Sequence, residues 1–262
     1  MGLTLTWLSI IVLLPLAALF LKAAELSLDE FFAVILSRRT LNALKISFGL
    51  ALAAAVVNFF MGMIVVWALV RYRFPLRRVF DAIVDLPFAL PTAVAGVALT
   101  ALFSQKGWLG APLAEFGIKV AFTPLGIFIA MIFIGIPFVV RTVEPVLADL
   151  EAEIEEAAVS LGATRWHVIT RVIAPSLTPA MLTGFALAFA RAVGEYGSVI
   201  FIAGNLPNVS EIAPLLIVIR LSEFRYADAT AIAVVMLLVS FVILFIINRL
   251  QRWSLERSIA RE

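Results

Sequence analysis

The sequence predicts an all-α integral membrane protein with six spans, and three observations carry that prediction. Hydrophobic residues make up 63% of the chain and charged residues only 15%. The apolar residues fall in long, nearly uninterrupted runs. The segments between them are short, apart from one acidic, alanine-rich elbow. A soluble domain carries about a quarter charged residues. A chain this apolar satisfies its backbone and its side chains together only as a bundle of membrane helices. The mean hydropathy of +1.08 agrees.

The runs lie at roughly 5–24, 42–70, 80–103, 124–143, 180–203 and 226–249, each long enough for a bilayer that needs about 20 helical residues. The second run exceeds that length and is expected to tilt or project beyond the bilayer. The first could be read as a cleaved signal peptide. It lacks a basic leading region, and Lys22 spoils the small-residue cleavage pattern, so a retained first span is expected. Met1-Gly2 with Thr6 matches a myristoylation pattern only formally. Thr123-Pro124 and Thr178-Pro179 each place a capping residue before a proline, as at helix starts. The expected organisation is a first span with its outer connection (1–40), a five-span core (41–250) that includes a polar loop at 144–178, and a tail (251–262).

Six spans put both termini on one side. Basic residues cluster at Arg71, Arg73, Arg77 and Arg78 and in the tail at Arg249, Arg252, Arg257 and Arg261. Arg141, Arg165 and Arg171 fall on the same side. Lys22, Arg38, Arg39, Lys106, Lys119, Arg220 and Arg225 fall on the other. The positive-inside bias therefore places both termini and the polar loop in the cytoplasm. The net charge of +2 indicates no nucleic-acid partner. The absence of Cys excludes disulfides and thiolate metal sites. With one histidine, His167, the chain has neither a His-based metal site nor a catalytic triad, so an intramembrane enzyme finds no constellation here. His167 reads as an interface or solvent residue, with a pH-switch role as the alternative.

The elbow runs Glu156 to Pro175, E-A-A-V-S-L-G-A-T-R-W-H-V-I-T-R-V-I-A-P. Asp149 to Ser160 is acidic and helix-prone. Ala157 and Ala158 offer a flat surface for close approach. Gly162 can take a positive φ and end the first helix, Thr164 can cap a second, and Pro175 is expected to stop it. Trp166 and Arg165 are then available as contact residues. The plain alternative is an ordinary loop with a solvated acidic face.

Glu156, Ala157, Ala158, Gly162 and Pro175 match in spacing the E-A-A-x3-G-x9-I-x-L-P loop of bacterial ABC-importer permeases, which this segment resembles. Val172 and Ala174 replace the usual Ile and Leu. Further strings narrow the likeness: Arg71-Tyr72-Arg73-Phe74-Pro75, Asp85-Leu86-Pro87-Phe88-Ala89-Leu90-Pro91-Thr92, Pro137 to Val143, Arg191-Ala192-Val193-Gly194-Glu195-Tyr196-Gly197, and Ile200 to Asn205. Together they resemble the T-type permeases of sulfate/thiosulfate importers. Molybdate or tungstate permeases share several of the elements and stand as the alternative. A different class, an ATPase-independent anion channel or carrier, would need no partner.

The resemblance implies a six-helix ABC-importer permease (MetI-like) bundle with cytoplasmic coupling helices, in a bacterial inner membrane. It implies a W-type permease as heterodimer partner, two copies of an ATP-binding subunit docked on the elbow, and a periplasmic sulfate/thiosulfate-binding protein. It implies an alternating-access, non-catalytic subunit that carries no cofactor itself. No G-x-x-x-x-G-K-[ST] stretch occurs, so ATP and Mg2+ would belong to the partner ATPase.

The remaining polar residues lie inside predicted spans. Arg191 and Glu195 are four apart and share a helical face. Charges at mid-membrane cost about 2.5–3.5 kcal/mol each, so the two are expected to face inward. They either line the translocation path, where Arg191 adds positive potential for a dianion, or pin helix packing together with Asp85. Pro87 and Pro91 can break the third span. The break would expose backbone N–H groups to an anion beside the Thr92 hydroxyl, or simply kink against the partner permease. Phe88 or Phe138 can serve as an apolar plug. Gly194, Gly197 and Gly204 allow close helix contact or act as a flexible gate.

Overall fold

The computed structural model describes residues 2–259. Helix α1 covers Gly2–Ala23, α2 Leu28–Ile35 and α3 Arg38–Arg71. A bent pair follows, α4 (Arg77–Ala89) and α5 (Thr92–Phe103), then α6 (Gly110–Glu115) and α7 (Pro124–Ala148). The elbow is α8 (Ala152–Ser160) and α9 (Arg165–Val168). A π turn at Ile169–Ile173 leads into α10 (Ala174–Val193). α11 (Val199–Ile202), α12 (Ala213–Ser222) and α13 (Tyr226–Ile259) complete the chain. Met1 and the tail residues 260–262, Arg261 among them, lie outside the described residues.

Among the described residues, five helices are long and apolar enough to cross a membrane, and the α4–α5 pair makes a sixth if it counts as one span. At the centre α3, α7 and α10 pack on one another. Small residues set how closely they approach. A Cβ on Gly62 would lie 2.6 Å from Val139 Cγ1, and one on Gly184 would lie 2.9 Å from Val139 Cα. Val139 of α7 is thus clasped between a glycine of α3 and a glycine of α10. In their most apolar windows α7 is 56% buried and α1 only 6%, so α1 turns nearly all its apolar surface outward and leans on α13.

Local chemistry explains the helix starts. Ser27 and Glu30 form a capping box: Ser27 N–H donates to Glu30 at 2.9 Å and Glu30 N–H donates to Ser27 Oγ at 3.3 Å. The Ser27 backbone N–H, and then its hydroxyl, hold the Glu30 carboxyl below its ordinary value. Ser37 accepts from Thr40 N–H at the start of α3. Pro124 opens α7 as expected, but the Thr123 hydroxyl donates to Val120 O at 2.7 Å instead of capping.

Three departures from the expected spans shape the functional end of the molecule. The third span is broken between α4 and α5, whose axes differ by 116°. Only Pro91 marks the break. Leu90 before it is extended, at φ −86° and ψ 133°, as a residue preceding proline prefers. Pro87 lies inside α4 and does not interrupt it.

The second departure concerns Pro175 and Thr178-Pro179. Pro175 does not stop a helix, and Thr178-Pro179 does not start one. Arg165–Val193 is a single apolar helix of 29 residues. The π turn just before Pro175 widens the backbone and absorbs the missing N–H. Thr178 donates to Ala174 O at 2.7 Å from within the helix.

The third departure is that the fifth span ends at Val193, short of the expected 203. Chain beyond it forms a turn, α11, a loop and the ten-residue apolar α12, an element that the hydropathy runs did not contain.

Candidate functional site

The elbow has the shape its sequence calls for. α8 ends where Gly162 takes φ +85°, with nothing within 4 Å of the position its Cβ would occupy. Thr164 caps α9 by accepting from His167 N–H, and its hydroxyl lies 2.8 Å from His167 Nδ1. Trp166 is 71% exposed and Leu161 91% exposed. Glu156, Ala157 and Arg165 are exposed and Ala158 is half-buried. A groove of about 530 Å³ opens between α8 and α9, lined by Trp67, Glu155, Glu156, Val159, Arg165 and Ile169 among others. Arg71, at the end of α3, pairs with Glu155 and sits 5.7 Å over the Trp67 ring. The elbow therefore shares one end of the bundle with the end of α3.

At the far end of the Arg165–Val193 helix stand Arg191 and Glu195. They form an ion pair, but Glu195 lies beyond the helix, after the Gly194 cap. Its side chain is 1% exposed. It also accepts from Ser198 N–H at 2.8 Å and from Ser198 Oγ at 3.0 Å. These bonds explain why the span ends early: a buried carboxylate that continued the helix would lose them, and unpaired buried polar groups are costly. The turn packs on α5. A Cβ on Gly197 would meet Thr92 Oγ1 at 2.1 Å, and one on Gly96 would meet Ser198 O at 2.4 Å. Pro91, Thr92, Arg191 and Glu195 are thus gathered where the two broken spans meet.

Asp85 is not part of that group. Arg141 holds it bidentately at 2.8 and 2.6 Å, and Arg141 also bonds Glu144 at 2.6 Å and the Asp81 carbonyl at 3.1 Å. The physical reason is the break at Pro91, which carries α4 away from α5 and onto α7. Phe88 and Phe138 touch each other edge to face, with ring centroids 5.0 Å apart. Of the glycines, Gly197 and Gly204 are in close contact. A Cβ on Gly204 would lie 2.9 Å from Phe122 O, whereas Gly194 has only Ala190 O, at 3.9 Å.

Three buried polar features escaped the sequence reading. Glu211 is fully buried, and Arg39 donates to it at 2.8 and 2.6 Å. Ser47 Oγ accepts the Ala213 N–H at 2.7 Å, fastening α12 to α3. Asn58 is buried against Gly135, with its side-chain amide unpaired. An acidic residue and an asparagine within apolar sequence were the available signals. The partner of Glu211 is 172 residues away and the glycine packed on Asn58 is on another helix, and spacing alone does not reveal either.

Residues 58–259 match the family model described as binding-protein-dependent transport system inner membrane component, and the chain belongs to that family. It is 51% identical over 251 residues to the sulfate transport system permease protein CysT of Synechocystis sp., covering 96% of this chain and 88% of that protein. It is 49% identical over 251 residues to the protein of the same name from Escherichia coli K12, covering 96% and 91%. A crystal structure of a bacterial ABC transporter that imports alginate matches with a TM-score of 0.79 at 19% identity, covering 95% of this chain and 92% of that one. An inward-facing MetNI methionine ABC transporter matches with a TM-score of 0.62 at 17% identity, covering 82% and 96%. At those identities the likeness speaks for the fold: an all-helical ABC-importer permease bundle. Family and apolar helices together make this a multi-pass inner-membrane protein.

Proposed function

We propose that this chain is the permease subunit of an ATP-driven sulfate importer, forming half of the translocation path and taking its motion from a cytoplasmic ATPase. One observation carries the mechanism. A single helix, Arg165–Val193, begins in the exposed elbow and ends at the Arg191–Glu195 pair. Its 29 residues span ~43 Å at 1.5 Å per residue. A displacement of the elbow therefore reaches the break at Gly194–Ser198 along one continuous rod.

In this reading Glu156, Ala157, Ala158, Gly162, Arg165 and Trp166 seat in the ATPase, two copies of which serve the two permeases. Trp166 is the aromatic anchor and Ala157 and Ala158 are the flat approach surface. ATP and Mg2+ belong to that partner. Closure of the ATPase dimer pushes the elbow, and α10 carries the push to the junction with α5. There Arg191 supplies positive potential to a dianion, the N–H groups of the broken α5 start and the Thr92 hydroxyl supply hydrogen bonds, and Phe88 with Phe138 closes the path when empty. A W-type permease forms the other half, and a periplasmic binding protein delivers sulfate, with thiosulfate as a second substrate. The elbow and both termini face the cytoplasm, in keeping with the arginines at 71–78. Relatives about half identical over nearly the whole chain, each named for sulfate transport, support the choice of anion.

The test is uptake of radiolabelled sulfate in a strain lacking its own sulfate permease. The chain with its partners is expected to restore accumulation, and molybdate in excess is expected not to compete. Arg191→Gln is expected to abolish uptake at normal levels of assembled complex. Unchanged uptake would remove Arg191 from the path, and anion flux from this chain alone in vesicles would overturn the coupled mechanism.

A further inference from the structure

Arg73, Arg77 and Arg78 are exposed, and among the described residues none has a carboxylate partner. The nearby acids are already engaged. Glu155 takes Arg71, and Asp81, Asp85 and Glu144 surround Arg141. A groove of about 600 Å³ opens beside the free arginines, lined by Phe74, Leu76, Arg77, Arg78, Val79 and Asp81. Leu76 stands in it with φ +66° and is 68% exposed.

Helix α4 continues the groove with an unusual orientation. Its acids Asp81 and Asp85 are only half-buried, and both are paired with Arg141. Its apolar face, Val79, Phe80, Ile83 and Leu86, is 42–53% exposed. An amphipathic helix that shows its apolar side outward and carries basic residues at one end suits the boundary between acyl chains and headgroups. The level agrees, because Arg71 closes the span of α3 immediately before Arg73. The exposed apolar surface runs on into α5 through Val94 and Val97.

We infer that this groove binds an anionic phospholipid, with the headgroup phosphate among Arg73, Arg77 and Arg78 and the acyl chains along Phe74, Leu76 and the outer face of α4. The charge complements an anionic headgroup, and the apolar face complements its tails. A water-soluble protein partner would answer the charge and leave Phe80, Ile83 and Leu86 uncovered.

The experiment uses the purified full importer, delipidated and titrated in nanodiscs of phosphatidylcholine with and without phosphatidylglycerol, with bound lipid counted by native mass spectrometry. Wild type is expected to retain phosphatidylglycerol over phosphatidylcholine. Each arginine near an anionic surface contributes about a five-fold factor, so R73Q/R77Q/R78Q is expected to weaken phosphatidylglycerol binding roughly 100-fold. The lysine triple variant is expected to keep most of the binding, and Phe80→Ser with Ile83→Ser to weaken both lipids alike. Excess inorganic phosphate is expected to leave the lipid bound; its displacement would reduce the groove to a bare anion site and overturn the inference. Undiminished phosphatidylglycerol on the glutamine variant would also overturn it. So would loss of the ATPase or second permease from that variant with lipid binding intact, since the groove would then be a protein contact. If the glutamine triple does not assemble, Arg77→Gln alone carries the test, with a five-fold loss expected and no loss overturning.

Discussion

The elbow at 152–168 and the turn at 194–198 both interrupt a helix at glycine, and they treat their surroundings in opposite ways. At the elbow Gly162 has φ +85° and open space around it, the key glutamate Glu156 is exposed, and Trp166 stands 71% exposed. At the turn Gly197 is pressed against Thr92, and Glu195 is buried with every visible partner engaged. The first glycine serves conformation and the second serves space. One region keeps its contact groups open for a neighbour. The other engages Glu195 internally and leaves Arg191 a third exposed.

That contrast orders the expected effects of substitution on the stability of the fold. Glu195→Ala removes one member of a buried pair and orphans Arg191 and Ser198, and it is expected to cost about 3–5 kcal/mol. Thermal unfolding of the purified subunit in detergent checks this, and a loss below that of an exposed-site change would mean that Glu195 is solvated. Gly197→Ala forces Thr92 aside and is expected to cost about 1–3 kcal/mol. Thr92→Ala should restore part of that loss in a double-mutant cycle, since it removes the hydroxyl in the way; strict additivity would break the reading that Gly197 is there for space.

Gly162→Ala meets no neighbour and pays only for its left-handed backbone, about 1–2 kcal/mol, confined to the elbow. Gly162→Asn should recover much of it, and core hydrogen-exchange protection should not change for either. Trp166→Ala is expected to alter stability by less than about 0.5 kcal/mol. It should nevertheless weaken association with the ATPase by about 2 kcal/mol, measured by titration of the purified partner. An equal effect of Trp166→Ala on folding and on association would erase the distinction between the two regions.

The elbow was legible residue by residue because its determinants are local. Gly162 needs only its own φ, and Thr164 caps a residue three positions on. The π turn was not legible, because proline signals a stop unless the preceding turn can widen, and packing of Val168, Ile173 and Leu177 into the core favours continuation. Pairing of Arg191 with Glu195 was foreseen, whereas the end of the helix between them was not, since it depends on Ser198 and on the face of α5. The expectation that Asp85 joins them failed because α4 turns away at Pro91 and meets Arg141. Arg39 with Glu211, and Ser47 with the start of α12, join segments remote in sequence, so no periodicity or spacing marks them.

By itself the sequence determined the membrane class, the apolar runs, the elbow and a proline break in the third span, while the choice of Pro91 over Pro87 fell to the structure. The former follow from hydropathy summed over a window and from backbone preferences of single residues. Only the tertiary structure decided which charges neutralise one another, where the fifth crossing ends and which glycines are crowded. Those outcomes rest on the dielectric and the free volume at a given point, and both belong to the packed bundle rather than to any one segment.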